Sequence, residues 1–397
     1  MTGARKPVDI VGGILETVHV KCNRSGHTVV NKMFEFERVY GPDDSQESVF
    51  EEVLPLLTSL LDGYNVCIMA YGQTGSGKTY TMLGPHSEDN FTLSPEPQLD
   101  EGVIPKAARE LYRLMSNKPL ETHSVEVSIV EVYNNEIIDL LAKGNGGTVL
   151  GVKRDVVSTI TGGSDVPLLT YEHVENLSGI LNLITHGLRH RTKHPTRVHA
   201  HSSRSHLVIT LTITTKSPGA ISSCKQLPSC ITDNNSTPPS RFLPAKHFST
   251  EPTELPKYLK TKLQLVDLAG SECVGMSGVT GAALRETSYI NRSLAALSDV
   301  LGALAEQRSH VPYRNSKLTH LLQDSIGGDA KLLVMVCVSP AQKYTTESLQ
   351  SLGFGSRARQ VLKRHVRKKI PVISENTGGR SSQNNRQGTR QSVSSFT

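Results

Sequence analysis

The sequence predicts an α/β fold, a three-layer sandwich with a mostly parallel central sheet flanked by helices. Three observations carry this. An apolar run, Tyr64–Ala70, feeds a Gly-rich turn and then a helical segment. Two further apolar runs, Lys262–Leu268 and Lys331–Val338, have the length of fully buried strands. Between these runs lie segments whose apolar residues recur every three or four positions, as helices packed on a sheet require.

Taken in order, Val8–Val11 and Val18–Val20 read as short strands around Gly12-Gly13, and Phe34–Val39 alternates like a half-buried strand. Ser45 caps a helix whose apolar positions run from Val49 to Leu61 and which stops at Asp62-Gly63. Pro85, Pro95 and Pro97 mark 84–101 as a polar loop, followed by a helix over 105–114. Val125–Tyr133 reads as a long strand, turned by Asn134-Asn135 into a short helix over Glu136–Leu141. Residues 143–165 are Gly-rich and irregular, Leu177–His190 is helical and Leu207–Thr215 is a strand. The stretch 217–259 is rich in Ser, Pro, Thr and Lys and is expected to be a disordered insertion. Helices over 291–307 and 345–362 complete the fold.

The chain of 397 residues is 37% hydrophobic and 20% charged, a composition suited to a globular protein with a sizeable core. No apolar run reaches the length of a membrane span, and residues 1–7 lack the apolar core of a secretory signal. The six cysteines show neither disulfide pairing nor zinc spacing, which points to a reducing compartment. The net charge is +6, but residues 361–397 alone hold eight Lys/Arg against one acid, leaving the rest of the chain at −1. Basic character therefore belongs to a tail, which is either a solvated end or a contact for an acidic surface. No heptad pattern is sustained, so no coiled coil is encoded and a monomer is the default.

The Gly-rich turn is Gly72-Gln73-Thr74-Gly75-Ser76-Gly77-Lys78-Thr79, which fits the phosphate-loop pattern in its proper strand–loop–helix context. Glycines let successive backbone N–H groups point inward at phosphate oxygens. Lys78 places an ammonium on the outer phosphates, and the Thr79 hydroxyl suits Mg²⁺, a hard ion that prefers oxygen. Two further segments extend the site. Asp267-Leu268-Ala269-Gly270-Ser271-Glu272 closes the second apolar run; an Asp there can hold Mg²⁺ through water, and Gly270 can offer its N–H to the terminal phosphate. Ser202-Ser203-Arg204-Ser205-His206 offers hydroxyls for Mg²⁺ or phosphate, and Arg204 is a natural bidentate partner for Glu272. Together these point to a P-loop site that hydrolyses a nucleotide with Mg²⁺.

These segments, with Tyr64–Tyr71, Ile290-Asn291-Arg292-Ser293-Leu294 and His310–Asp324, resemble a kinesin motor domain from about Phe34 to Val361. The class it most resembles is the minus-end-directed, C-terminal-motor kinesins. The resemblance divides the chain into a divergent segment 1–33, a motor domain 34–361 and a basic disordered tail 362–397. It implies that the nucleotide is ATP, that Lys78 and Thr79 are the phosphate lysine and Mg²⁺ ligand, that Ser203 approaches Mg²⁺ and Ser202 the terminal phosphate, and that Gly270 senses that phosphate. Arg204 and Glu272 match the pair whose closure positions the attacking water. Asn291 and Arg292, on the helix that lies on tubulin, and Arg314 and Lys317 match contacts to microtubules. No nucleic acid is implied as partner; the setting implied is cytoplasm and cytoskeleton, at spindle or centrosome.

The sequence also departs from the family pattern. The opening strand that ends in Arg-x-Arg-Pro and packs on adenine is represented only by Arg5-Lys6-Pro7, and its place in the sheet is either lost or taken by Val8–Val11. His199 stands for the usual Asn, Cys273 and Ser288 for basic residues, and Gly353-Phe354-Gly355 for Arg-Phe-Ala. Two functions lead: a microtubule-stimulated ATPase producing movement or force, or a non-motile microtubule-binding protein with a weak nucleotide site; a third, a P-loop hydrolase acting on something other than tubulin, is opposed by His310–Asp324.

Overall fold

The computed structural model describes residues 8–11, 16–22, 30–85, 93–117, 123–143, 151–160, 162–191, 203–216, 258–272 and 281–365. The strands are β1 (Val8–Val11), β2 (Glu16–Cys22), β3 (Val30–Phe36), β4 (Val66–Tyr71), β5 (His123–Tyr133), β6 (Glu136–Asp139), β7 (Val152–Arg154), β8 (Val157–Ser158), β9 (Ser164–Asp165), β10 (Glu172–Val174), β11 (His206–Lys216), β12 (Tyr258–Asp267) and β13 (Lys331–Val336). The helices are α1 (Gln46–Glu51), α2 (Leu54–Leu61), α3 (Lys78–Leu83), α4 (Val103–Ser116), α5 (Leu177–Arg191), α6 (Ala282–Ala305), α7 (Lys317–Leu321), α8 (Gln323–Ile326) and α9 (Thr345–His365).

The sandwich is visible residue by residue on β4. Val66, Ile68 and Ala70 face one core, built with α2, α4 and α5. Cys67, Met69 and Tyr71 face a second core, built with α6, α7 and α9. All six β4 residues are buried, which is why the strand reads as an unbroken apolar run.

The main sheet has eight strands in the order β13-β4-β12-β11-β5-β6-β7, with β10 on β5. It is mixed rather than mostly parallel. Among the described residues only β13–β4 and β4–β12 are parallel; the five other pairings are antiparallel. This topology brings three loops to one edge. The register sets Asp267 of β12 against Ala70 of β4 and Leu207 of β11 against Asp267. The end of β4, the end of β12 and the start of β11 therefore meet, and the phosphate loop, 268–272 and 203–205 meet with them.

β1, β2 and β3 form a separate antiparallel sheet. Val8–Val11 thus does not supply a strand to the main sheet, and the boundary expected between 33 and 34 falls inside β3. Val18, Val20, Phe34 and Phe36 pack with Leu349 and Leu352 of α9 as a third, small core.

Other expectations are corrected locally. The helix capped by Ser45 is two helices. Ser45 accepts from Ser48 N at 3.2 Å to start α1, and the chain restarts as α2 with a proline in its first turn, where the missing N–H costs nothing. Glu136–Leu141 is not a helix: β6 pairs with β5 through the two-residue turn Asn134-Asn135, at φ 49° and 60°. Positive φ at both positions is the turn geometry that matches strand twist. The stretch 143–165 contains β7, β8 and β9, and Tyr258 and Leu259, placed in the insertion, begin β12. Residues 217–257 and the tail beyond 365 lie outside the described residues. Among the described residues no helix is long and apolar enough to cross a membrane.

Candidate functional site

The phosphate loop follows β4 directly and takes the backbone shape its glycines permit. Gly72, Gly75 and Gly77 have φ of 155°, 76° and 102°. Gly72 is also required by space, since a Cβ there would sit 2.1 Å from Cys337 O. Lys78 is buried and donates to Gln73 O at 2.8 Å, so its ammonium is held under the loop. Burial lowers its pKa, and the nearby Asp267 carboxylate opposes that shift. Gln73 is buried, with Oε1 lacking a hydrogen-bond partner among the described residues. Ser76 bonds back to Gln73 O at 2.8 Å and keeps the loop curled.

Thr79 Oγ1 donates to Asp267 Oδ2 at 2.9 Å, which brings together the two residues expected to share a metal. Asp267 is fully buried and its Oδ1 has no partner among the described residues. An orphaned carboxylate oxygen beside a threonine hydroxyl suits a hard cation or its bound water, so these residues fit Mg²⁺.

Arg191, which sequence reading passed over, completes this charge arrangement. It lies in the last turn of α5, 3.3 Å from Asp267 Oδ2 and 3.9 Å from buried Glu131. Its Nη2 also donates to Ser205 O at 2.9 Å. Lys78 and Arg191 thus balance Asp267 and Glu131 in the interior, the condition under which buried charge is tolerated. The signal in sequence was an Arg at the end of a helix, which helix-dipole reasoning assigns to solvent.

The loops on either side are joined to one another. Gly270 N donates to Ser203 O at 2.9 Å, and Ser271 N donates to Gly72 O at 3.0 Å. The Arg204–Glu272 pair is not made here. Glu272 accepts from Thr74 N at 2.8 Å and from Thr74 Oγ1 at 2.7 Å. Arg204 pairs instead with Glu286 of α6 at 3.4 Å. Glu286 also accepts from the Tyr133 hydroxyl, whose pKa is raised by burial and then by that carboxylate. Glu286 was not singled out in the sequence. Ser202 lies outside the described residues.

A model of the kinesin motor domain matches residues 8–361. The chain belongs to the kinesin family. It is 57% identical over 366 residues to kinesin-like protein KIF25 of Macaca fascicularis, covering 90% of this chain and 62% of that one. It is 40% identical over 339 residues to kinesin-like protein KIN-14R of Arabidopsis thaliana, covering 85% of this chain and 27% of that one. The chain thus spans less than two thirds of the length of either relative. Among solved structures, the C-terminal motor and motor homology domain of Kar3Vik1, fused to a synthetic coiled coil, superposes with a TM-score of 0.67 at 29% identity. That match covers 89% of this chain and 79% of the other. The kinesin motor fold and the likeness to C-terminal-motor kinesins stand, and the family match begins at Val8 rather than Phe34.

The positions expected to face the kinesin track divide in two. On α6, Arg292 and Ser288 are exposed and Asn291 is half-buried. Around α7, exposed Arg314 donates to Ser158 Oγ at 3.1 Å, and Lys317 is ion-paired with Asp155. The Lys317 hydrogen bond holds the Asp155 carboxyl below its ordinary range. Two basic groups are therefore tied to the segment 155–158. The departures His199 and Cys273, and Arg5-Lys6-Pro7, lie outside the described residues. In α9, Phe354 stacks on Tyr71 with ring centroids 3.8 Å apart, which ties the last helix to the strand that carries the phosphate loop.

Proposed function

We propose that this chain is a microtubule-stimulated ATPase that converts Mg·ATP hydrolysis into movement or force along microtubules. The observation that carries the reading is the junction of Thr79, Asp267 and Arg191 beneath a glycine-shaped phosphate loop, with the Gly270 N–H bonded to the Ser203 carbonyl. Phosphoryl transfer asks the protein chiefly for positioning and electrostatics, and these residues supply both. The loop amides of Gly72–Gly77 and the Lys78 ammonium bind the phosphates. Thr79 and Ser203 would hold Mg²⁺ through their hydroxyls and Asp267 through water, and that ion neutralises charge on the phosphate oxygens. Gly270 exchanges its bond to Ser203 for one to the terminal phosphate, with Ser202 beside it. Glu272 leaves Thr74, Arg204 leaves Glu286, and their closure on each other orients the attacking water.

On this reading Asn291, Arg292, Arg314 and Lys317 meet the acidic track, and the protein works in the cytoplasm on the cytoskeleton, at spindle or centrosome. A second reading, a non-motile microtubule-binding protein, is favoured by one observation: Lys317 is already neutralised by Asp155, which weakens attraction to an acidic surface. Steady-state ATPase of the purified chain with and without polymerised tubulin tests both. Strong stimulation supports the motor, whereas binding without turnover supports the tether.

A further inference from the structure

His206 is the first residue of β11 and is 2% exposed. Its Nδ1 lies 3.0 Å from Ala269 N. A backbone amide can only donate, so Nδ1 accepts, and the ring proton sits on Nε2. Nε2 lies 2.7 Å from Ser293 Oγ and donates to it. Ser293 donates in turn to Ile290 O of α6 at 2.7 Å. Every link has its direction fixed, and burial, followed by the Arg191 and Lys78 charges, keeps the ring neutral by pushing its pKa down to about 3.

The neighbouring amides lead elsewhere. Leu268 N donates to Ala70 O, Gly270 N to Ser203 O and Ser271 N to Gly72 O. Ala269 alone in this run is bonded toward α6, and its peptide is adjacent to that of Gly270. A turn of Gly270 toward a phosphate pulls on the residue whose amide His206 holds. The ring is walled in on all sides, so it passes a displacement on rather than absorbing it.

We propose that His206 is a positioning residue that couples the Gly270 loop to helix α6 through Ala269 and Ser293. It is a second connection, beside the Arg204–Glu286 pair, by which nucleotide state reaches the helix read above as facing microtubules, and to that extent it rests on the proposed function.

Ser293→Ala is the test, because it removes the far link, leaves the imidazole in place and puts a strong helix former in α6. Two quantities are read: the ratio of microtubule-stimulated to basal ATPase, and amide hydrogen exchange of 282–305 with and without a non-hydrolysable ATP analogue. The expected result is a ratio at least fivefold lower than in the native chain, with the nucleotide-dependent change in α6 exchange lost. A folded variant that keeps its nucleotide-dependent exchange overturns the coupling, whatever the ratio does. If microtubules do not stimulate even the native chain, the proposed function fails, and exchange still decides this inference. A nucleotide response in native α6 that Ser293→Ala abolishes supports it, and a native α6 blind to nucleotide overturns it.

Discussion

Two glycines in α9 look alike in sequence and differ in surroundings. A Cβ built on Gly353 meets nothing within 4 Å. A Cβ on Gly355 would lie 2.7 Å from Val336 Cγ2 and 2.9 Å from Phe36 Cε1. Replacing either helix-interior Gly by Ala gains about 1 kcal/mol from backbone propensity. Gly353→Ala should keep that gain. Gly355→Ala should also incur the cost of overpacking, about 1–3 kcal/mol, because Val336 is stiff at χ1 and sits in β13. The net effect at 355 runs from neutral to about 2 kcal/mol destabilising, so the two variants should differ by about 1–3 kcal/mol. Denaturant titration of both, at constant m-value, measures this. In a Phe36→Ala background the cost of Gly355→Ala should be smaller than in the native chain, since one of the two close contacts is then absent. Equal stabilisation by both alanines would refute the reasoning, and with it the packing of β3 against α9. If the difference is found, Gly355 is the residue that lets the first, separate sheet seat on the motor.

The other predictions concern the site and its titration. Lys78→Ala should abolish ATP turnover in a coupled phosphate-release assay, as removal of the buried ammonium under the loop requires. Glu272→Ala should bind ATP and decorate microtubules while hydrolysis is blocked; normal turnover would remove Glu272 from the chemistry. Replacing Cys273 and Ser288 by lysine should tighten cosedimentation with microtubules at low salt and lose the gain as ionic strength rises. His206, whose pKa is pushed down to about 3, binds a proton in the unfolded chain but not in the native one between pH 6.5 and 3. Its contribution is fully present above pH 6.5 and is lost as the pH falls, at up to about 1.4 kcal/mol per pH unit. His206→Phe should flatten that part of the stability profile by about one proton.

What the sequence revealed was local. The phosphate loop, the aspartate ending the next buried strand and the Ser/Arg segment carry their chemistry in residue type and spacing, and the apolar periods placed them on strand ends. Strand direction is not local: β11 and β12 pair antiparallel, which no period encodes. The β5–β6 hairpin was legible in principle, since Asn-Asn suits positive φ at both turn positions; the apolar Ile137-Ile138 and Leu140-Leu141 pairs drew the helical reading instead. The break between α1 and α2 was signalled by Pro55, which belongs in a first turn rather than mid-helix. Arg191 escaped because a helix-terminal Arg is usually solvated, and only the meeting of α5 with Asp267 and Glu131 buries it.

The carboxylates of the loops show why pairing could not be read from spacing alone. Glu272 has two competent partners, the Thr74 amide and hydroxyl or the Arg204 guanidinium, and Arg204 has two acids, Glu286 and Glu272. Each exchange swaps one charge-assisted bond for another of similar strength, about 1.5–3 kcal/mol, so neither arrangement wins by residue type. What can tilt the balance is an anion that claims the Thr74 amide, because the loop's donors are then engaged and Glu272 is repelled. Arg204 can follow at modest cost, since Glu286 keeps the Tyr133 hydroxyl as a partner when the guanidinium departs. A pair left unformed with its alternatives already satisfied is the arrangement a phosphate-triggered switch needs, because closure then depends on phosphate rather than on the intrinsic strength of the ion pair.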